Sequence, residues 1–297
     1  MALDNNTKTS RRIAGAPISW GVCEVPDWGF QLSAGRVLDE MQQLGLQATE
    51  FGPEGFLPDG PAAKSEFLAR FDLKAVGGFL PLLLHDSGHE PLPEVDAFID
   101  DCLASGASVV VLAAVTGVEG YDDHPALDEL QWKHMLHNLD RIADHAVKRR
   151  VRAVVHPHIG TMVENAEDVS RILTGSHIGL CIDTGHLVAA GADPVAITVA
   201  NTDRIGHVHL KDVDSEIAAS FLAKEITFSD AVAAGLFCVL GTGSVDIASM
   251  VGALDASGYD GWYVLEQDVK LTAGEPNGVG PIANVRASLE FLAGISA

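Results

Sequence analysis

LQWKHMLHNLDRIADHAVKRRVRAVVHPH, Leu130 to His158, contains one complete helix-to-strand unit. Its first part is amphipathic and stops at the basic cluster Lys148-Arg149-Arg150, as helix C-termini tend to. The run that follows, VRAVVHP (151–157), is apolar and β-branched, and it halts at His156 and His158, split by a proline. An apolar strand that ends abruptly on imidazoles reads as one that delivers side chains to a site.

The unit repeats along the chain. Strand candidates are RIAGAPIS (12–19), LQATEFG (46–52), LKAVGGF (73–79), SVVVLAA (108–114), VRAVVHP (151–157), HIGLCID (177–183), RIGHVHLKD (204–212) and GWYVLEQD (261–268). Helical patterns such as AGRVLDEMQQLG (34–45) and PEVDAFIDDCLASGA (93–107) lie between them. Eight strands alternating strictly with about eight helices predict parallel pairing with right-handed crossovers. Such units close into an α/β (β/α)8 TIM barrel. An open doubly wound sheet is the alternative, but the glycine fingerprint it often carries is missing. The GxG in GLFCVLGTGSVD (235–246) reads instead as a turn entering the last βα unit. No Pro/Ser-rich linker or low-complexity stretch divides the chain, so one domain over residues 1–297 is expected.

Composition narrows the function. The chain is 47% hydrophobic and has 19 Lys+Arg against 41 Asp+Glu, a net charge of −22. Such a surface repels phosphate backbones, and no basic stripe interrupts it, so no nucleic acid partner is expected. The four cysteines, Cys23, Cys102, Cys181 and Cys238, are widely spaced and form no CxxC pair, which predicts reduced thiols. The start, MALDNNTKTSRR, is polar and lacks an apolar signal core. No apolar run approaches the ~20 residues of a membrane span. A soluble, cytoplasmic protein with no membrane partner is expected.

In a barrel, function collects at the C-terminal ends of the strands. Those ends carry Glu50; His156 and His158; Asp183 followed by His186; His207, His209, Lys211 and Asp212; and Glu266, Gln267 and Asp268. The early strands add little besides Trp20, Glu50 and the pair Gly77-Gly78. Alternation along GHVHLKD puts His207, His209 and Lys211 on one face. Choosing one inward residue per strand gives His156, Asp183, His209 and Glu266. Two imidazoles and two carboxylates suit Mn2+, Co2+, Fe2+ or Zn2+, and the carboxylates keep Mg2+ open. The lack of a thiolate argues against a structural zinc site. A lone histidine at a strand end is usually only a satisfied polar residue, but four such groups on consecutive strand ends favour a metal. His207 reads as structural, His85 and His89 as surface residues, and Glu164 as stabilising a helix N-terminus. Glu50 either binds substrate or orients a neighbouring loop.

HPHIGTMVE, CIDTGHL, HVHLKD and YVLEQD resemble the xylose-isomerase-like TIM barrels, which include sugar isomerases, epimerases and endonuclease IV. GAPISWGVCEVPDWG together with ATEFGPEGFLP resembles the inosose dehydratase branch. The resemblance runs from about Ile13 to Leu292. It implies one divalent ion held at the ends of strands five to eight, usually by Glu, Asp, His and Glu. Asp183, His209 and Glu266 fit the last three, while His156 stands where the glutamate is usual. His158 aligns with a histidine that often follows that glutamate, and His186 with a frequent substrate ligand. Expected substrate-binding residues are therefore His158, His186, Glu50 and Trp20, and expected catalytic residues are Glu266, His186 and Lys211.

Related ketose 3-epimerases use two glutamates on opposite faces of the substrate carbon. Losing the strand-five glutamate breaks that pair, whereas elimination needs one face deprotonated and an acid for the departing hydroxyl. The resemblance thus implies a metal-dependent hydro-lyase acting on a cyclic keto-polyol such as scyllo-inosose. A ketose isomerase or epimerase is the alternative, followed by a binding protein without turnover and an endonuclease, which the charge disfavours. The insert Val213–Leu240 is expected to cover the site and help select substrate, and a homo-oligomer is expected from the relatives.

Overall fold

The computed structural model describes residues 11–118, 120–274 and 276–295. The polar stretch 1–10, read above for a signal core, lies outside the described residues. The strands are β1 (Arg12–Gly15), β2 (Ala48–Thr49), β3 (Lys74–Ala75), β4 (Gly77–Leu82), β5 (Val109–Ala114), β6 (Arg152–Val155), β7 (Gly179–Asp183), β8 (Ile205–Leu210), β9 (Asp212–Val213), β10 (Phe237–Cys238) and β11 (Trp262–Leu265). Nine of them form one sheet in the order β3-β2-β1-β11-β8-β7-β6-β5-β4, and every neighbouring pair in it is parallel.

The two edges of that sheet, β3 and β4, are consecutive pieces of one strand broken at Val76. Val76 N–H donates to Thr49 O at 3.0 Å on the β2 side, and its carbonyl accepts from Ser108 N at 3.2 Å next to β5. One residue therefore stitches both edges and closes the barrel. Neither edge is left open to pair with another chain.

The central strands are buried on both faces, as a parallel barrel requires; all six residues of β5, VVVLAA, are buried. The helix Glu129–Lys148 starts where Asp128 accepts from the backbone of Leu130 and Gln131, and Gln131 returns a bond to Asp128 N. Such a cap is worth about 1 kcal/mol. Met135, Leu139, Ile142 and Ala146 form its buried stripe.

Two expectations are corrected. The stretch 12–19 leaves β geometry after Gly15, and Pro17–Trp20 is a 3-10 turn with a left-handed Gly21 behind it. Alternation is also not strict. Two helices follow β7 (Thr184–Ala189, Pro194–Ala200), and three lie between β8 and β11 (Ser215–Leu222, Phe228–Ala234, Ile247–Ser257).

The glycines after β10 serve a turn with a definite anchor. Buried Asp212 accepts from Gly241 N (2.8 Å) and Gly243 N (2.9 Å) on one oxygen, and from Val213 N (2.9 Å) and Val245 N (3.0 Å) on the other. This carboxylate pins the antiparallel β9-β10 ribbon to the barrel rim.

Gly77 is required at the strand break. It has φ of 149°, and an added Cβ would lie 1.9 Å from Val109 O. Backbone must then move, so Gly77→Ala should cost at least ~2 kcal/mol in urea unfolding. Gly45, with open space around it and φ of 79°, is the control: its alanine variant should lose only about 1 kcal/mol.

Candidate metal centre

β6, β7, β8 and β11 are contiguous in the barrel, and their C-terminal ends converge. One ligand atom each from His156, Asp183, His209 and Glu266 lies within 4.8 Å of the others, so these four could hold a metal ion. Asp183 is both the last residue of β7 and the N-cap of the next helix. Its Oδ1 accepts from Gly185 N and His186 N, both at 2.9 Å, which aims Oδ2 into the cluster. There Oδ2 lies 3.2 Å from His156 Nε2 and 3.5 Å from His209 Nδ1.

The donor set fits a divalent ion. His209 Nδ1 is buried and lacks a hydrogen-bond partner, although Glu266 Oε2 is only 2.5 Å away. His156 Nδ1 is similarly unpartnered. Lys211 Nζ rests on the same carboxylates, at 2.7 Å from Asp183 Oδ2 and 2.8 Å from Glu266 Oε2, with Asp268 Oδ1 at 3.3 Å. The oxygens thus already accept a cation. Mixed imidazole and carboxylate donors are the usual company of first-row divalent metals.

Burial and charge set the protonation states. Burial raises Asp183, but the Lys211 ammonium together with His186, His156 and His209 outweighs it and holds Asp183 well below the carboxylate range. Burial would discharge Lys211, yet Asp183, Asp268 and Glu266 keep its pKa well above the usual value. Glu266 is held down at about 2, where His209 and Lys211 overcome burial. Asp268 goes the other way: burial dominates and pushes it up to about 7. His158, at about 3, and His186, well below the usual imidazole range, are kept neutral by burial and then by neighbouring positive groups.

A cavity of about 910 Å³ opens above the cluster. His156, His158, His186, Lys211, Glu50, Glu266 and Asp268 line it. His158 and His186 stack with ring centroids 3.8 Å apart, and Tyr121 lies 4.6 Å from His158. Both ring nitrogens of His186 are buried without a hydrogen-bond partner, and Nε2 lies 3.7 Å from Asp268 Oδ2. The insert supplies Phe228 and Phe237, 5.9 and 5.4 Å from the His186 ring, and Phe228 lines the cavity.

Trp20 is a correction. It is fully buried, lies away from the cavity, and donates through Nε1 to buried Glu40 at 2.8 Å. The 3-10 turn rotates it out of the barrel interior towards the helix Ala34–Gln43, and Trp28 lines the cavity in its place. His207 is buried in the barrel, and His209 stands beside it on the same face. His85 and His89 are both partly exposed, in the loop expected for them, and His89 pairs with Glu94 at 2.9 Å. Glu164 accepts from Gly160 N at 2.7 Å, while Asn165 caps the following helix. Asp268 was named at its strand end without a role, Phe228 lies in the insert expected to cover the site, and Tyr121 was not singled out from the sequence. Asp268 carried a signal, two residues beyond Glu266 on the same alternation; Phe228 opens the helix Phe228–Ala234 inside the flagged insert, and Tyr121 carried none.

A closed parallel barrel with ionisable side chains gathered at its C-terminal mouth is the layout of barrel enzymes. Residues 38–295 match the model of the xylose isomerase-like TIM barrel family, and the chain belongs to that family. It is 31% identical to an inosose dehydratase of Lacticaseibacillus casei (strain BL23), over 88% of this chain and 90% of that protein. It is 32% identical to the rhizopine catabolism protein MocC of Rhizobium meliloti, over 98% and 90% respectively. Among solved structures it is similar to an L-ribulose 3-epimerase (TM-score 0.68, 17% identity, 96% of this chain and 94% of that one). It is also similar to the IOLI protein solved with a zinc atom (TM-score 0.68, 15% identity, 96% and 97%). Among the described residues no helix is long and apolar enough to cross a membrane.

Two measurements check this geometry. Mn2+ or Co2+ at a hundred times its Kd should stabilise the protein by ~2.7 kcal/mol, reversed by chelator and absent in Asp183→Asn. Trp20→Phe should lower stability by about 1–3 kcal/mol, because Glu40 loses a buried donor, and leave Co2+ affinity unchanged.

Proposed function

We propose that this chain is a metal-dependent hydro-lyase that removes water from a cyclic keto-polyol such as scyllo-inosose. One observation carries the reading. The end of β6 brings His156 and His158 to the cavity, and no carboxylate from that strand end faces Glu266. The cluster is therefore one-sided as a proton acceptor, which suits elimination better than inversion at carbon. The inosose dehydratases at about 30% identity support the same choice.

His156, Asp183, His209 and Glu266 would hold the ion, with Mn2+ or Co2+ favoured over Mg2+ by the two imidazoles. A bound divalent ion supplies Lewis acidity that eases loss of the proton next to a ketone. Glu266, or Asp268 beside it, takes that proton. Lys211 stays charged and balances the negative charge that develops on the substrate oxygens. Neutral His186, with both ring nitrogens lacking a hydrogen-bond partner, is placed to hydrogen-bond the departing hydroxyl, and His158 stacks against it. The carboxylate passes that proton to the departing hydroxyl, so the net loss is one water, and the enol that remains becomes a diketone. The aromatic wall of Tyr121 and Phe228 keeps bulk water from the reacting carbon. The substrate is a small polyol ketone handled in the cytoplasm by a single-domain chain.

Mn2+-loaded protein should convert scyllo-inosose in D2O to a diketone, followed by NMR, and chelator should stop it. His186→Ala should lower kcat by about 10²–10⁴-fold with metal affinity retained. Deuterium entering a ketose with inversion and without dehydration would instead make the chain an epimerase and overturn this reading.

A further inference from the structure

Glu50 follows β2, yet its partners are on β8, reached through the barrel interior past β1 and β11. It is 4% exposed. A single oxygen, Oε1, accepts from His207 Nε2 at 2.8 Å and from His209 Nε2 at 3.0 Å. A carboxylate oxygen that receives two imidazole N–H groups leaves each ring with its proton on Nε2. A neutral imidazole protonated at Nε2 carries its lone pair on Nδ1. In His209 that atom is the buried, unpartnered one beside Glu266 and Asp183. His207 is not among the four and meets them only through the His209 ring, 5.2 Å away between centroids; its bond holds the Glu50 carboxylate in place from the other side.

We propose that Glu50 is a positioning residue for the ion: through Oε1 it fixes His209 as the Nε2–H tautomer and aims Nδ1 at the site. The inference rests on His209 being a metal ligand. It reassigns Glu50 from substrate contact to support of the metal, acting from β2 on a ligand of β8. A carboxylate behind a ligating histidine orients the ring and raises its basicity, and its loss costs about 10–100-fold in metal affinity.

The test is Co2+ titration, by calorimetry and visible absorption, of wild type, Glu50→Ala and Glu50→Gln. Kd should rise by about 10–100-fold in Glu50→Ala and less in Glu50→Gln, whose amide oxygen can still accept. In 15N-labelled, Zn2+-loaded wild type, long-range 1H–15N correlation should place the His209 proton on Nε2; this needs no variant to fold. Unchanged Co2+ affinity in both variants, with KM raised, would make Glu50 a substrate contact and overturn the inference while leaving the metal site standing. A His209 proton on Nδ1 would overturn it equally. A wild type that binds no divalent ion would overturn the metal reading and this inference with it.

Discussion

Asp183 and Asp268 are buried and Glu266 is half-buried, all within reach of one ammonium, and the layout of the barrel mouth follows from that. Uncompensated, buried carboxylates are costly enough to break a fold locally. Lys211 contacts all three. Its four-carbon stem must therefore lie inside the barrel, on the same face of β8 as His207 and His209. Room for it comes from Gly185, where an added Cβ would sit 2.5 Å from Lys211 Cβ. Thr184 completes the seat by accepting from Lys211 N at 2.8 Å. A buried lysine, a glycine opposite it and a helix that starts at Asp183 form one solution to a single charge problem.

That solution makes His156 intelligible. A fourth carboxylate at this point would add negative charge to a group that Lys211 already balances three ways. An imidazole kept neutral by burial adds a donor atom without adding charge. On the proposed reading the imidazole also leaves that strand end without a second proton acceptor, so the electrostatics of the resting site and the direction of its chemistry are linked through one residue.

Much of the barrel was legible because parallel strands bury both faces and helices bury one stripe. VVVLAA and the 130–150 pattern could hardly be read otherwise. Period-two alternation placed His207, His209 and Lys211 together because β8 is regular to Leu210. It misplaced Trp20 because β1 ends at Gly15, and a 3-10 turn does not alternate. Glu50 was visible as a polar residue at a strand end. Its partners lie 157 and 159 residues away, and only closure of the barrel shows which they are. Tyr121 and Phe228 come from segments outside the barrel strands, whose positions depend on packing against each other and on the Phe228 N bond to Asp122 at 2.7 Å. No local pattern encodes that.

The Asp212 cradle has a consequence for how such a molecule diversifies. The segment that walls the His186 side of the cavity is fastened at its base by four backbone N–H groups on one carboxylate. Two of those donors, Gly241 and Gly243, admit no side chain, since an added Cβ would lie 2.3 Å from Phe291 and 2.4 Å from Asp212 Oδ1, so the base is held to its residues while the segment above it is not. The helices between β9 and β10 can therefore drift, lengthen or be exchanged between lineages while the base of the segment stays in register with the strand that bears His209. Novelty in what is recognised is thereby decoupled from inheritance of the chemistry, and a single aspartate marks the border between them.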